Sequence, residues 1–97
     1  MKVKQFYNKN QLIIKDKGVI YFQSYDSMIA KIEHGTLTLG IDWDYSKTTL
    51  KHLYLFINDY LLSYYIDEKI EKAMNSNNKR KALQSLLNNH IYYDENL

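Results

Sequence analysis

Apolar and polar positions alternate between Gly18 and Gly40, in GVIYFQSYDSMIAKIEHGTLTLG, and the alternation predicts two antiparallel strands that turn at His34-Gly35. With those two residues as the loop, Glu33 faces Thr36, Ile32 faces Leu37, Ala30 faces Leu39 and Met28 faces Ile41. The last three pairs are apolar and share a face. Ile29, Lys31 and Glu33 meet Gly40, Thr38 and Thr36 on a mostly polar face, as a half-buried antiparallel pair requires. A slip of one residue would exchange the faces and destroy the match. Gly35 supplies the positive φ that the second position of a type I′ turn demands.

The same pattern extends toward the N-terminus. Residues 2 to 7 alternate, with Val3, Gln5 and Tyr7 on one face, and Asn8-Lys9-Asn10 reads as a turn. Gln11 to Lys15 is a strand, and a three-residue loop at Asp16-Lys17-Gly18 sets Ile14 against Ile20 and Leu12 against Phe22. Residues 2 to 41 thus form a meander of about four strands, with a bend or bulge at Ser24 to Ser27.

Asp42 to Tyr45 ends the sheet, and the period then changes. Ser46 is a helix N-cap, and Leu50, Leu53, Tyr54, Ile57, Leu61, Tyr64 and Tyr65 recur at helical spacing. A second apolar set, Leu55, Phe56, Leu62 and Ile66, lies off that stripe. One sheet face cannot cover both sets, so the second is the expected interface of a homodimer, the alternative being a monomer whose final helix folds over it. Asp67 to Met74 continues the helix or follows a kink, with Ile70, Ala73 and Met74 on its apolar side, and Asn75 to Asn78 is a linker. Lys79 to Asn88 is a final helix with Ala82, Leu83, Leu86 and Leu87 inward, and His90 to Tyr93 can return as an edge strand. The expected fold is α+β, a single domain in which an N-terminal antiparallel sheet of about four strands packs against two or three C-terminal helices.

Composition narrows the class more than the function. With 97 residues there is room for one modest core, and 45% apolar against 25% charged residues favours a folded chain over a disordered one. Absence of cysteine excludes disulfides and thiol chemistry; no apolar stretch follows the first lysines as in a secretory signal, and a cytoplasmic protein is expected. Leu53 to Ile66 is interrupted by Asn58 and Asp59 and is too short to span a bilayer, so no membrane partner is expected. The net charge of +2 is spread evenly: residues 1 to 45 carry six Lys against five acids, and residues 46 to 97 seven Lys or Arg against six. Neither half has the basic tail or face that nucleic-acid capture usually shows.

Candidate chemistry is sparse. His34, His52 and His90 stand at no zinc-ligand spacing, Gly18, Gly35 and Gly40 form no phosphate loop, and no serine sits in a nucleophile elbow, so no metal, no cofactor and no enzyme activity is expected. Asp42 and Asp44 flank Trp43 in a D-x-D that serves turn formation better than catalysis. Ten tyrosines are the largest departure from average composition, and tyrosine is favoured in binding surfaces because it is stiff and amphipathic. Tyr25, Asp26, Asp42, Trp43, Asp44 and Tyr45 are the candidate partner-binding residues. Lys79-Arg80-Lys81 is the one compact basic cluster, at a helix start where it opposes the dipole, and it is the candidate nucleic-acid contact.

The string VIYFQSYDSMIAKIEHGTLTL, followed by DWDYSKTT, resembles a family of small uncharacterised proteins carried by phages and plasmids of low-GC Gram-positive bacteria. The likeness runs to about Thr49, fades from Leu50 to Asn78, and returns weakly in the final helix and HIYYDENL. It implies a mobile-element setting and no mechanism. Small proteins of that setting without enzyme motifs often occupy the surface of a host defence protein. By that analogy the expectation is a protein-binding module that inhibits or modulates a host protein such as a CRISPR-type defence nuclease, with a small nucleic-acid-binding accessory protein as the alternative.

Overall fold

The computed structural model describes residues 1–97. Strands β1 (Lys2–Phe6), β2 (Asn8–Asp16), β3 (Val19–Ser24), β4 (Ser27–Glu33) and β5 (Thr36–Leu39) form an antiparallel meander. Three helices follow, α1 (Lys47–Ile57), α2 (Glu68–Met74) and α3 (Lys79–Leu86), and the short β6 (Tyr92–Tyr93) then pairs in parallel with β5 at the sheet edge. The class is α+β as the change of period implies, but the sheet has six strands where about four were expected. No helix is long and apolar enough to cross a membrane.

The β4/β5 hairpin has the register expected from its apolar pairs: Glu33 faces Thr36, Ile32 faces Leu37 and Ala30 faces Leu39 across His34 (φ +51°) and Gly35 (φ +76°). The fourth pair fails. Phe22 and Gln23 pair with Ala30 and Met28, which leaves Ile29 as the extra residue of a bulge. The bulge turns Ile29 into the core, where it is buried beside Ala30. Gly40 N–H then donates to Ile29 O at 2.7 Å, the ladder ends, and Ile41 is left 60% exposed instead of facing Met28.

Two other turns differ from expectation. The β2/β3 loop is Lys17-Gly18, both at positive φ, so Asp16 faces Val19 and the register moves by one residue: Ile13 faces Phe22, while Leu12 faces Gln23 and Ile14 faces Tyr21. Two residues in left-handed geometry match strand twist without a third loop position. Asn8-Lys9-Asn10 belongs to β2, and the chain reverses at Tyr7 (φ +68°).

Helix α1 is capped by Ser46, whose Oγ accepts from Thr49 N–H at 3.1 Å. Its buried face is Thr49, His52, Leu53, Phe56 and Ile57, extended by Tyr60 and Leu61 in a π-helical turn at Asn58–Leu62. This face is rotated from the expected stripe. Phe56, expected on the outer apolar set, is wholly buried and stacks on Phe22 at 5.6 Å; Leu55 and Leu62 are half-buried, and Ile66 alone of that set is exposed. Tyr64 and Tyr65, expected as core, are exposed. Tyr64 and Tyr65 follow the π-helical turn, past Leu61, the last fully buried residue of this segment, and so lie outside the packed face.

Asp67 and Asn78 cap α2 and α3. Ile70, Ala73 and Met74 of α2 and Leu83 of α3 are buried, with Ala82, Leu86 and Leu87 half-buried against the same core. Asp67 also accepts from His90 Nε2 at 2.8 Å, which ties the chain after α3 back to the start of α2. Helix α3 ends at Leu86, two residues before its expected end, where Leu87 turns to extended geometry.

Candidate functional site

Four of the six candidate partner-binding residues meet at one end of the sheet. Ser24 and Ser27 pair across the β3/β4 turn, which leaves Tyr25 and Asp26 as a two-residue loop with Tyr25 at φ +53°. Its backbone is held from both sides: Tyr25 N–H donates to Asn10 O at 2.7 Å, and Gln23 Nε2 donates to Tyr25 O at 2.8 Å. Left-handed geometry in a bulky residue is costly, and these bonds fix it while the ring stays 56% exposed.

The turn after β5 brings up the opposite wall. Asp42 accepts from Ser27 Oγ at 3.0 Å, Tyr45 N–H donates to Asp42 O, and Tyr45 is left 79% exposed. Between the walls lies a groove of ≈ 380 Å³ lined by Ser24, Tyr25, Asp26, Ser27, Ile29, Asp42, Tyr45 and Thr49. Thr49 Oγ1 lies 3.2 Å from Ser24 Oγ and accepts from Ser46 Oγ at 3.1 Å, so the helix cap and the sheet share one polar contact in the wall. No basic residue lines the groove. Two carboxylates and two exposed phenol rings suit hydrogen-bond donors and cationic side chains, through charge-assisted bonds and the ring faces.

Trp43 and Asp44 are not part of it. Trp43, expected at the surface, is 5% exposed in the core, and Asp44 instead accepts from Arg80 Nε and Nη2 at 3.1 and 2.8 Å. That pair docks the start of α3 against the turn and occupies the central member of the Lys79-Arg80-Lys81 cluster.

A second constellation was missed in the sequence. Lys2 faces Lys15, and Lys4 faces Ile13, so the three lysines project from the inner face of β1 and β2 beyond the reach of α1. Lys4 and Lys15 place their ammonium groups 5.8 and 5.4 Å from the centre of the Tyr60 ring. The Lys4 pKa is raised, chiefly by hydrogen bonding to the Tyr60 hydroxyl and then by the charge of the same group. A hollow of ≈ 390 Å³ is lined by Lys2, Val3, Lys4, Ile13 and Lys15. Lys15 also lines a second hollow of ≈ 240 Å³ whose walls include His34, Tyr60, Tyr64 and Tyr65. Neither has an acidic lining residue. The only sequence signal was alternation that put Lys2 and Lys4 on one face; Lys15 joins them through strand pairing and the tyrosines through the length of α1.

The histidines occupy structural positions. His52 Nδ1 lies 2.8 Å from Thr48 O and Nε2 3.4 Å from the Asn8 amide, and His34 sits in the β4/β5 loop. Tyr7 donates to Asp59 at 2.8 Å, which raises the pKa of its hydroxyl by stabilising the protonated form.

A family model described as a family of unknown function, DUF8033, matches residues 1–82, and the chain belongs to that family. No curated protein and no solved structure matches the chain.

Proposed function

Since family membership brings no activity with it, we propose from the groove that this chain is a non-enzymatic protein-binding module of a phage or other mobile element that inhibits or modulates a host protein, such as a CRISPR-type defence nuclease. The supporting observation is the convergence of Tyr25, Asp26, Asp42 and Tyr45 around one groove, with both rings exposed on a backbone fixed by hydrogen bonds. Rigid, exposed aromatic residues beside carboxylates are typical of surfaces that take a partner's cationic or donor side chains at little entropic cost. The sequence resemblance supplies the mobile-element setting. Affinity purification from host lysate with wild type and with Tyr25→Ser/Tyr45→Ser tests the reading. The expected result is one host protein in stoichiometric amount with wild type and its loss with the double variant; equal recovery with both rejects the groove.

Self-association belongs to the same proposal in reduced form. A dimer on the outer side of α1 would use Leu55, Leu62 and the 93% exposed Ile66, without Phe56. Sedimentation of wild type and Ile66→Lys tests it. Nucleic-acid binding through Lys79, Arg80 and Lys81 has less support, because Arg80 is already paired with Asp44.

A further inference from the structure

We infer that the two hollows that share Lys15 bind a nucleotide unit of a single-stranded nucleic acid, with its phosphates on Lys2, Lys4 and Lys15 and a base against Tyr64. The site lies at the opposite end of the sheet from the tyrosine and aspartate groove, and the inference stands whether or not that groove binds a protein.

Three observations carry it. The three lysines come from paired positions of two strands and face one space, and none has a carboxylate partner: the ion pairs of the molecule are Met1 with Asp16, Lys31 with Glu33, Arg80 with Asp44 and His90 with Asp67. An anion placed among cations that have no carboxylate partner gains their attraction and releases counterions. Next, Lys15 of the basic hollow is also a wall of an aromatic one. Tyr64 is 73% exposed there, on the end of a helix held against the core by Tyr60 and Leu61, so its ring is offered to solvent on a firm base. Third, the two hollows differ in chemistry as a nucleotide's two ends do. A phosphate needs cations and donors, whereas a base stacks on any π face, which also makes such binding tolerant of sequence.

A bare anion would need only the lysines, and a protein partner would need no coincidence of lysines with a free ring. The exposed Lys and Tyr positions can be changed without entering the core, so the variants are expected to fold, with circular dichroism as the control.

Fluorescence anisotropy of a labelled oligothymidylate and a labelled oligouridylate, each of about twelve nucleotides, is the test. Wild type is expected to bind, and the affinity to fall between about 50 and about 200 mM salt with a logarithmic slope near −2, roughly −0.7 for each of three neutralised phosphates. Lys2→Gln/Lys4→Gln/Lys15→Gln is expected to lose at least about tenfold in affinity at low salt and most of that slope. Tyr64→Ala should lose roughly 5- to 150-fold and Tyr64→Phe should keep wild-type binding, because stacking needs the ring and not the hydroxyl. Free uridine monophosphate that competes as well as the oligonucleotide would make the mononucleotide the natural form of the ligand; failure to compete supports a strand. Absence of binding at low salt overturns the inference. So does binding that survives the triple lysine variant, binding abolished by Lys79→Gln/Arg80→Gln/Lys81→Gln in its place, or binding indifferent to Tyr64→Ala that heparin displaces fully.

Discussion

The ring of Tyr65 fills the space that a side chain at Gly35 would occupy: a β-carbon built on Gly35 lies 2.9 Å from Tyr65 Cδ1 and 3.0 Å from Cε1. The hairpin tip and the end of the long helix thus meet over a missing methyl group. Gly35 also has φ +76°, so its absence of a side chain answers two demands at once.

Gly18 separates those demands, because it shares the left-handed geometry (φ +83°) with nothing within 4 Å of a built β-carbon. Gly18→Ala is expected to cost about 1 to 2 kcal/mol from backbone strain alone. Gly35→Ala should cost more, and in a Tyr65→Ala background the excess should vanish. Urea unfolding of wild type, the three single variants and the Gly35→Ala/Tyr65→Ala double variant measures this, and an excess that persists without Tyr65 would remove the ring contact from the account.

Phe56 and Ile66 make an opposite pair of expectations. Truncating Phe56, wholly buried and stacked on Phe22, to Ala is expected to destabilise the fold by about 3 to 5 kcal/mol. Ile66→Ala should change monomer stability by less than about 0.5 kcal/mol, since that side chain is 93% exposed. Denaturant midpoints at low protein concentration decide both.

Asp67 serves two neighbours with one carboxylate, accepting from Ile70 N–H at 3.1 Å as the cap of α2 and from His90 Nε2 at 2.8 Å. Asp67→Asn keeps an oxygen for the cap and should lose less than about 1 kcal/mol; Asp67→Ala removes both contacts and should lose about 1 to 2 kcal/mol. Thermal melts of the two variants should therefore be ordered Asn above Ala.

Gln11 is fully buried opposite Ser24, and neither amide atom of its side chain has a hydrogen-bond partner within the protein. An unpaired buried amide costs about 1 to 3 kcal/mol, and Met has nearly the same length without that cost. Gln11→Met should raise the melting temperature by several degrees, roughly 4 to 8 °C per kcal/mol in a domain of this size. A lowered melting temperature would show that the amide has a partner.

Legibility in the sequence followed the number of ways a segment could be wrong. The β4/β5 hairpin was readable because only one register aligned its apolar residues around a Gly-containing loop. Leu12, Ile13 and Ile14 are apolar in succession, so either face could have been the inner one, and a loop taken one residue too long selected the wrong one. In α1 apolar residues run nearly all round, and the face that packs was set by aromatic partners on the sheet, Phe6 and Phe22, which helical spacing does not contain. Four of the six candidate partner-binding residues line one groove, but their separation from Trp43 and Asp44 was not legible, because adjacent positions in a turn can point to opposite sides. The lysine hollow was hidden for the opposite reason: alternation places Lys2 and Lys4 on one face, but Lys15 and the tyrosines are distant in the chain and reach it only through pairing and packing.

The parallel ladder between β5 and β6 has a consequence for synthesis. β4 and β5 are adjacent in the chain and are expected to pair before Tyr92 and Tyr93 are available, and until β6 adds, the far side of β5 is an open row of backbone donors and acceptors. Three helices must be made, and the outermost packed, before the nascent chain can close its own sheet. Contacts that join so late and across so much sequence are slow to form. The interval in which β5 waits for β6 is when two nascent chains on one message are most exposed to pairing with each other.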